Sequence, residues 1–261
     1  MIEFYSGDTD TAIQRLCHSL DSFEPEWKYK VRPASDEDIA RLQCICNQYG
    51  YHIPDVYMSY LRTMGADDGG LLEREWDGSM ECDILSILDL FEDENYDAVD
   101  DLKRGLLLFS YHWTDTNCYL DVSRSEDNPP VLDRDCQYFT GSFEKYLFQK
   151  AFNIYQEQFI LKTSVGPSLN SCDVILKRHL FACAECGGTI EERMQFVKWW
   201  MKSLRLSGEE AWFSDKVHYF SYNNDYALSV NLYSGMLIVF SCNDQTQYTR
   251  IEKSLRHFIG E

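Results

Sequence analysis

The sequence is short of positive charge. It contains 24 Lys and Arg residues against 43 Asp and Glu residues, which gives a formal net charge of −19 at pH 7 over 261 residues. Such an excess of negative charge repels the phosphate backbone of nucleic acids and favours association with basic proteins. We therefore expect no direct contact with nucleic acid, and we expect the partner to be a protein.

Long apolar runs and an export signal are also missing. No run of 18 apolar residues occurs, so we expect no membrane-spanning helix and no membrane partner. The sequence starts Met1-Ile2-Glu3-Phe4 without a basic region followed by an apolar one, which predicts a cytoplasmic location. The ten cysteines are irregularly spaced, and we expect reduced, buried thiols rather than disulfides.

Common catalytic and cofactor motifs are missing as well. The chain has no Gly-x-Ser-x-Gly, no phosphate-loop lysine, no dinucleotide fingerprint and no paired-histidine zinc motif. His112, beside Trp113 and Asp115, is either an active-site base or a surface histidine in a hairpin. Its neighbours are not spaced as a nucleophile and an orienting acid, so we favour the surface histidine. We predict that the protein is not an enzyme and needs no cofactor.

A Cys/His stripe near the middle of the chain has a metal-binding and a structural interpretation. Cys172, His179, Cys183 and Cys186 lie at i, i+7, i+11 and i+14, on one side of a predicted helix. Zinc ligands must lie about 2.0–2.3 Å from one ion, whereas this stripe extends roughly 20 Å along a helix. We therefore favour a buried thiol-rich face and predict no metal site.

The negative charge is concentrated in the first part of the chain. Residues up to Val165 include 32 acidic and 14 basic residues, a net charge of −18, whereas the remainder has 11 acidic and 10 basic residues, a net charge of −1. Residues 67–101 alone contain fourteen carboxylates and one basic residue, Arg74.

This acidic segment has three interpretations. It is a solvated loop, a calcium site over Asp93–Asp101, or an interaction surface; the ligand order of an EF-hand is missing. The aromatic residues Trp76, Phe91 and Tyr96 favour the interaction surface, because interfaces use aromatic anchors. The predicted partner-binding residues are Asp67, Asp68, Glu73, Glu75, Trp76, Asp77, Glu92, Asp93, Glu94, Tyr96, Asp97, Asp100 and Asp101.

The stretch from Ser35 to Gly70 carries the most specific structural signals. Ser35 can accept hydrogen bonds from the free amides of a helix start, and three acidic residues follow it, where the helix dipole favours them. Gly50 suits the left-handed residue after a helix, Pro54 suits the start of the next helix, and residues 67–70 form a turn. The stretch predicts two helices followed by a sheet.

This order resembles the SUKH superfamily. In that family a capped helix ends at glycine, a Leu-Pro-like step starts a second helix rich in Tyr and Leu, and a Gly-Gly-like turn leads into a twisted sheet. The matching positions here are Ser35-Asp36 to Ile39, Gly50, Ile53-Pro54, Tyr57, Leu61 and Gly69-Gly70. The resemblance extends to about residue 160, with Asp89-Leu90 after a strand, a strand pair at 106–109 and 118–121, and a closing helix over 142–147.

The resemblance implies a function as well as a fold, because the family includes bacterial toxin-immunity proteins and fungal regulators of cell-wall synthesis. It implies a non-catalytic immunity protein whose acidic surface docks onto a basic, nuclease-like toxin. The first alternative is a regulatory or scaffold module for a cellular partner. The second is a metal-dependent activity at the Cys/His stripe. The oligomeric state is left open.

The last third of the chain predicts a second, smaller unit. Residues 163–170, with Gly166-Pro167, predict a linker, and residues 172–186 predict a helix. Thr189 and Glu192 have the spacing of a capping box, and strands are predicted over 217–222, 226–232 and 236–241 before a last helix. Phe-Ser-Tyr occurs at 109–111 and again at 220–222, which raises the hypothesis of a diverged duplication.

These patterns together predict an α+β fold. We expect an SUKH-like domain with an N-terminal helical extension over residues 1–165, in which two helices and a closing helix pack on an antiparallel sheet. Within the extension we predict a helix capped by Asp10 or Thr11 and a short strand over residues 27–31, which alternate apolar and polar side chains. We expect a smaller α+β unit, possibly a diverged copy of the first, over residues 166–261.

Overall fold

A computed structural model of the chain describes residues 4, 11–72, 81–94, 96–112, 117–124, 126–135, 137–159, 161–165, 189–232 and 237–258. These residues form eight α-helices and nine β-strands in two antiparallel sheets, which confirms the predicted α+β class. The chain divides into an N-terminal unit, Glu3–Ile154, and a C-terminal unit, Tyr155–Glu261, so the division precedes our expected boundary at residue 165. None of the helices described here combines the length and the apolar composition needed to cross a membrane.

The N-terminal unit consists of five helices, a four-stranded antiparallel sheet and most of a sixth helix. The sheet is a meander in the order β1-β2-β3-β4. The elements are α1 (Ala12–Phe23), α2 (Asp36–Gln48), α3 (Asp55–Met64), α4 (Ile84–Glu92), α5 (Ala98–Lys103), β1 (Leu106–Ser110), β2 (Cys118–Asp121), β3 (Val131–Leu132), β4 (Tyr138–Thr140) and α6 (Phe143–Glu157).

The helix starts follow the capping signals in the sequence. Thr11 caps α1 in a capping box with Gln14, and the Ser35 side chain accepts a hydrogen bond from the Asp38 amide at 3.1 Å at the start of α2. Asp83 caps α4 by accepting from the amides of two residues in its first turn. The predicted positions of α1, α2 and α3 are therefore confirmed.

Two predictions in the N-terminal unit are wrong. Residues 27–31 alternate like a strand, but Trp27–Tyr29 form a 3-10 turn in which the Trp27 ring is buried. The family resemblance places a strand before Asp89-Leu90, but α4 occupies that stretch because its apolar residues recur at helical spacing and Asp83 caps it. The end of the acidic segment, which the loop interpretation leaves irregular, forms α5.

Aromatic rings fill the core of the N-terminal unit. The Phe143 ring of α6 makes edge contacts with Tyr57 and Tyr60 of α3, at centroid distances of 5.5 and 5.7 Å. It also contacts Phe109 of β1 at 5.0 Å. All four side chains are fully buried, so α3, α6 and the sheet share one core, as the predicted two-helix, sheet and closing-helix arrangement requires.

The C-terminal unit is built on a five-stranded antiparallel sheet. Its strand order is β5-β9-β8-β7-β6, so the first strand pairs with the last one in the chain. The elements are β5 (Leu161–Val165), α7 (Ile190–Ser203), β6 (Glu209–Glu210), β7 (His218–Tyr222), β8 (Tyr226–Asn231), β9 (Leu237–Cys242) and α8 (Gln245–Phe258).

One face of this sheet packs against α7 and α8. Trp200 of α7 is buried and donates a hydrogen bond from its indole nitrogen to the Ser254 hydroxyl of α8 at 3.1 Å. The other face meets the end of α6, where Gln156 donates to the Val239 carbonyl at 3.2 Å and accepts from the Ser229 hydroxyl at 3.0 Å. The last residues of α6, which belong to this unit, therefore lie against the second face of the sheet.

The C-terminal predictions have mixed outcomes. The capping box of Thr189 and Glu192 and the three predicted strands are confirmed. The predicted linker is wrong at residues 163–165, which belong to β5 and pair with β9. The predicted helix over 172–186 lies outside the described residues.

Candidate interaction surface

The turn after α3 is organised by a buried carboxylate, Asp68. Its Oδ1 accepts hydrogen bonds from the amides of Gly70 and Leu71 at 2.9 and 3.0 Å. Its Oδ2 accepts from the Leu72 amide at 3.0 Å and from the Tyr60 hydroxyl at 3.2 Å. Burial raises the pKa of this carboxyl group, and the three amide donors oppose that rise.

The same turn requires glycine. Gly69 has a φ of +68° and Gly70 has a φ of +79°, a region that L side chains rarely adopt. A Cβ at position 69 would lie 2.7 Å from the indole nitrogen of Trp27, which donates to the Asp68 carbonyl at 2.9 Å. The predicted turn is confirmed, and its backbone packs against the Trp27 side chain.

Asp68 is therefore not part of a partner-binding surface, and this prediction is corrected. The residue is 3 % exposed and its oxygens are used inside the fold. Asp67 is half-exposed, but it accepts from the Gly69 amide at 3.0 Å and pairs with Arg32 at 3.2 Å. Both Asp67 and Asp68 therefore accept backbone hydrogen bonds within the turn.

Five of the predicted partner-binding carboxylates lie at the end of α4, in the connection to α5 and on α5, and their side chains are exposed. We call them the α4–α5 surface; they are Glu92, Asp93, Glu94, Asp97 and Asp100. Glu81 and Asp89, which we did not predict as partner-binding residues, are exposed as well.

Basic residues from elsewhere in the chain partly neutralise this surface. Arg41 of α2 bridges Glu92 at 2.5 Å and Asp38 at 3.2 Å. Lys103 pairs with Asp100 at 2.7 Å, and this hydrogen bond lowers the pKa of the Asp100 carboxyl group. The count of one basic residue within the segment thus overstates the local field.

Arg134, from the loop between β3 and β4, contacts two carboxylates of this region. Its guanidinium contacts Asp97, and its Nε lies 3.3 Å from Asp101 Oδ2. The pKa of Arg134 is raised, first by the Asp97 hydrogen bond. Arg104 adds a contact at 3.2 Å to the other oxygen of Asp101.

Asp101 is the second predicted surface residue that proves to be buried. It is 2 % exposed, and the hydroxyl of buried Tyr119 donates to it at 2.9 Å. Burial, followed by the Asp101 charge, raises the pKa of Tyr119. Asp101 joins α5 to β2 and to the β3–β4 loop, so it supports the surface from below and does not present a charge to a partner.

The aromatic residues of the segment also face inward to different degrees. Phe91 is buried in the core on α4, so its proposed use as an anchor is wrong. Tyr96 is half-buried: its hydroxyl accepts from the Asn117 side chain at 2.7 Å and its ring meets Tyr111 edge-on at 5.2 Å. Burial raises the pKa of Tyr96 to about 12. The remaining predicted residues, Glu73, Glu75, Trp76 and Asp77, lie outside the described residues.

His112 and the Cys/His stripe were the candidate catalytic and metal-binding residues. His112 is buried, with its amide donating to the Asn117 side chain at 3.1 Å, so the expected surface histidine is wrong. The Cys/His stripe over 172–186 lies outside the described ranges. Among the residues that the structure describes, no three His, Cys, Asp or Glu side chains converge on a possible metal position.

The described cysteines are free thiols, and four of the six are buried. They are Cys17, Cys44, Cys46, Cys82, Cys118 and Cys242. Burial raises the pKa of Cys17 to about 11 and that of Cys46 to about 12, so neither forms a thiolate readily near neutral pH.

Two sequence signals point to the inward carboxylates that we predicted as partner-binding. Asp101 falls at helical spacing with Ala98 and Leu102, the buried residues of α5. Asp68 precedes two glycines directly after a helix, a context in which Asp accepts from its own following amides. By contrast, the pairing of Arg134 with Asp97 joins residues distant in the chain, and no local pattern encodes it.

Comparisons with protein-family models, with curated proteins and with solved structures found no match to this chain.

Proposed function

We propose that this chain is a non-catalytic binding protein whose α4–α5 surface takes a basic protein partner. The observation that carries the proposal is that the five carboxylates of the α4–α5 surface, with Asp89 beside them on α4, are exposed over two consecutive helices and their connection. Negative surface of this kind accelerates encounter with a basic partner and repels phosphate backbones.

The α4–α5 surface also borders an apolar side chain. Leu85 lies on α4, four residues before Asp89 and seven before Glu92, so the three share the outward side of the helix. Leu85 is 52 % exposed, although the opposite side of α4 is buried. A leucine flanked by carboxylates suits a partner with an apolar contact surrounded by Lys and Arg.

The internal pairs set the expected strength of binding. Arg41 and Lys103 already occupy Glu92 and Asp100, so a partner's basic groups must compete with them. Exposed ion pairs contribute only about 0–1 kcal/mol each, so this competition is readily won by a partner with several bases. Binding should therefore depend on the summed field and decline steeply with salt.

The SUKH resemblance gives this proposal its specific form. On that interpretation, the protein is an immunity protein in the cytoplasm of a toxin-producing cell, and the partner is a basic, nuclease-like toxin domain. The acidic surface would cover the toxin's active-site surface and exclude the nucleic-acid substrate. An immunity protein of this kind should be encoded beside a large secreted toxin.

A regulatory or scaffold module is the second candidate. The specific observation in its favour is the C-terminal unit, which has its own five-stranded sheet and its own core between the sheet and α7 and α8. A second folded unit gives a scaffold a surface for another partner. In that case the gene's neighbours would include no toxin.

The test is a binding measurement between the purified chain and the toxin domain encoded beside its gene, by calorimetry at low and high salt. We expect the affinity to fall by about tenfold or more between roughly 50 and 500 mM NaCl, because the Debye length shrinks from about 14 to about 4 Å. An affinity indifferent to salt would contradict the electrostatic mechanism. Absence of an adjacent toxin gene or of binding would remove the immunity interpretation.

Charge-neutralising variants locate the binding surface. The variant Glu92→Gln/Glu94→Gln/Asp97→Asn should weaken binding severalfold at low salt, because it removes three charges of the α4–α5 surface. An equal loss of affinity when three exposed carboxylates elsewhere are neutralised would show that binding depends on net charge and not on the α4–α5 surface.

The matched control removes three exposed carboxylates elsewhere in the N-terminal unit. It is Glu26→Gln/Glu126→Gln/Asp127→Asn, and these side chains have no part in the α4–α5 surface. We expect its affinity to stay within about twofold of the unchanged protein.

A further inference from the structure

The outward side of α7 carries an aromatic pair in which one ring, that of Trp199, is exposed. Trp199 is 63 % exposed, and its ring lies 5.7 Å from that of the half-buried Phe196. The opposite side of α7 is buried in the core through Val197, Trp200 and Met201. Exposed tryptophan is costly in water and is enriched among the residues that dominate interfaces. We propose that this side of α7 is the interface between two copies of the chain.

The residues around Trp199 form one stripe along the helix. At 100° per residue, the side chains within about 60° of Trp199 lie on its face of α7. We call them the α7 stripe; they are Glu192, Gln195, Phe196, Trp199, Lys202 and Ser203.

The α7 stripe is complementary to itself. Glu192 lies near its beginning, Lys202 near its end and the aromatic pair between them. A two-fold axis perpendicular to α7 places the two α7 helices antiparallel, so that Lys202 of each faces Glu192 of the other. The axis then crosses α7 at the level of residue 197, so Trp199 covers Gln195 and Phe196 of the second copy.

Both charged groups are available for this contact. Glu192 uses one carboxylate oxygen to accept from the Thr189 amide at 2.8 Å, which leaves its other oxygen for a second donor. Lys202 is exposed and has no carboxylate partner among the described residues. The neighbouring Lys198 is different, because it pairs with Glu210 at 2.9 Å.

The distribution of charge selects this part of the chain for self-association. Two copies that each carry a net charge of −19 repel one another, and most of that charge precedes Val165. The remainder has a net charge of −1 over 11 acidic and 10 basic residues. A surface in this nearly neutral part opposes dimerisation least. The inference is independent of the proposed binding function.

Sedimentation equilibrium of the full chain between about 1 and 100 μM tests the proposal, the range in which modest interfaces dissociate. We expect a monomer–dimer equilibrium, and Trp199→Ala should weaken the dimer at least tenfold while leaving the circular dichroism unchanged. The matched control is Tyr29→Ala, which removes an exposed aromatic side chain, 80 % exposed, from the N-terminal unit. It should leave the dimer intact.

A charge variant supplies the second measurement. Lys202→Glu places carboxylates opposite Glu192 of the second copy and should weaken the dimer severalfold at low salt and less at high salt. Lys253→Glu, on an exposed position of α8, makes the same charge change outside the stripe and should have little effect. A monomer at every concentration, or a dimer that survives both Trp199→Ala and Lys202→Glu, overturns the proposal.

Discussion

The turn at residues 67–72 and the α4–α5 surface use the same type of side chain in opposite ways. In the turn, Asp68 is buried and accepts three amide hydrogen bonds, so its carboxylate shapes the backbone. On the α4–α5 surface, Asp97 and Asp100 are exposed and paired only with the long side chains of Arg134 and Lys103. One set of carboxylates stabilises the fold, and the other presents charge.

The comparison shows that acidic residues close in sequence divide between two roles. Within α5, Asp100 faces solvent while its neighbour Asp101 is buried under Arg134. A buried charge without partners is strongly destabilising, so each inward carboxylate needs a fixed set of donors. The outward carboxylates need no such set of donors, so their contribution to stability is small.

The largest expected effect comes from Asp68→Asn. The substitution keeps the shape but replaces one oxygen by an amide donor, which then faces either the Gly70 and Leu71 amides or the Leu72 amide and Tyr60 hydroxyl. We expect urea denaturation to show a loss of about 2–4 kcal/mol in the free energy of unfolding. Asp67→Asn is the control and should cost less than about 1 kcal/mol, because its ion pair is exposed. Equal losses of unfolding free energy in the two variants would contradict the distinction between the buried Asp68 and the half-exposed Asp67.

Gly69→Ala tests the backbone of the same turn. It combines a φ of +68° with a Cβ 2.7 Å from the Trp27 indole nitrogen, whereas Gly50 has a φ of +81° and nothing within 4 Å. We expect Gly50→Ala to cost about 1 kcal/mol for the left-handed backbone alone and Gly69→Ala to cost about 2–3 kcal/mol. Thermal and urea unfolding of both variants measures the difference, which reports the contact with Trp27. A smaller loss for Gly69→Ala would show that Trp27 moves freely.

Asp101→Asn sharpens the comparison inside α5. The change removes the charge that holds Arg134 and Arg104, and it leaves the Tyr119 hydroxyl with a weaker acceptor. We expect a loss of about 1–3 kcal/mol in the free energy of unfolding. Asp100→Asn, the adjacent exposed residue, should leave that free energy unchanged within error. A reversal of this order would mean that the surface pair with Lys103 matters more than the buried one.

Much of the fold is encoded in local patterns, which is why it could be predicted. Thr11, Ser35 and Thr189 cap helices where the sequence places a hydroxyl before an apolar period, and two glycines follow Asp68 in the turn. Alternating and apolar runs gave β1, β2 and the strands of the C-terminal sheet. These signals act within a few residues, so they survive without knowledge of the tertiary structure.

The candidate surface could be predicted only in part, because burial and pairing are decided by distant residues. Arg41 reaches Glu92 from another helix, and Arg134 reaches Asp97 from a strand connection. A short alternating segment at residues 27–31 likewise became a 3-10 turn because the Trp27 ring packs under the Asp68 turn. Charge counted along the sequence therefore does not distinguish the exposed carboxylates from the buried Asp68 and Asp101.

Removing the hydroxyls of two stacked tyrosines of α3, Tyr57 and Tyr60, should change the free energy of unfolding by smaller amounts and in opposite directions. The Tyr60 hydroxyl donates to Asp68 at 3.2 Å, whereas the buried Tyr57 hydroxyl has no hydrogen-bond partner in the described part of the chain. We expect Tyr60→Phe to cost about 1 kcal/mol and Tyr57→Phe to be neutral or slightly stabilising, because it removes an unsatisfied buried group. Unfolding curves of the two variants give the comparison. A destabilising Tyr57→Phe would show that a water or a residue outside the described ranges satisfies that hydroxyl.

Two cysteines of α2 provide the same comparison between an exposed and a buried side chain, without charge. Cys44 is exposed and Cys46, two residues later, is buried with its pKa raised to about 12. Alkylation with iodoacetamide at about pH 7.5 requires both access and thiolate, so Cys44 should react while Cys46 stays protected until the protein unfolds. Mass spectrometry of the proteolytic peptide resolves the two sites, and Cys44→Ser provides the control for assignment. Because Cys46 packs in the core beneath α2, its reaction in the native protein at a rate near that of Cys44 would mean that α2 opens locally, and the same opening would release Arg41 from Glu92.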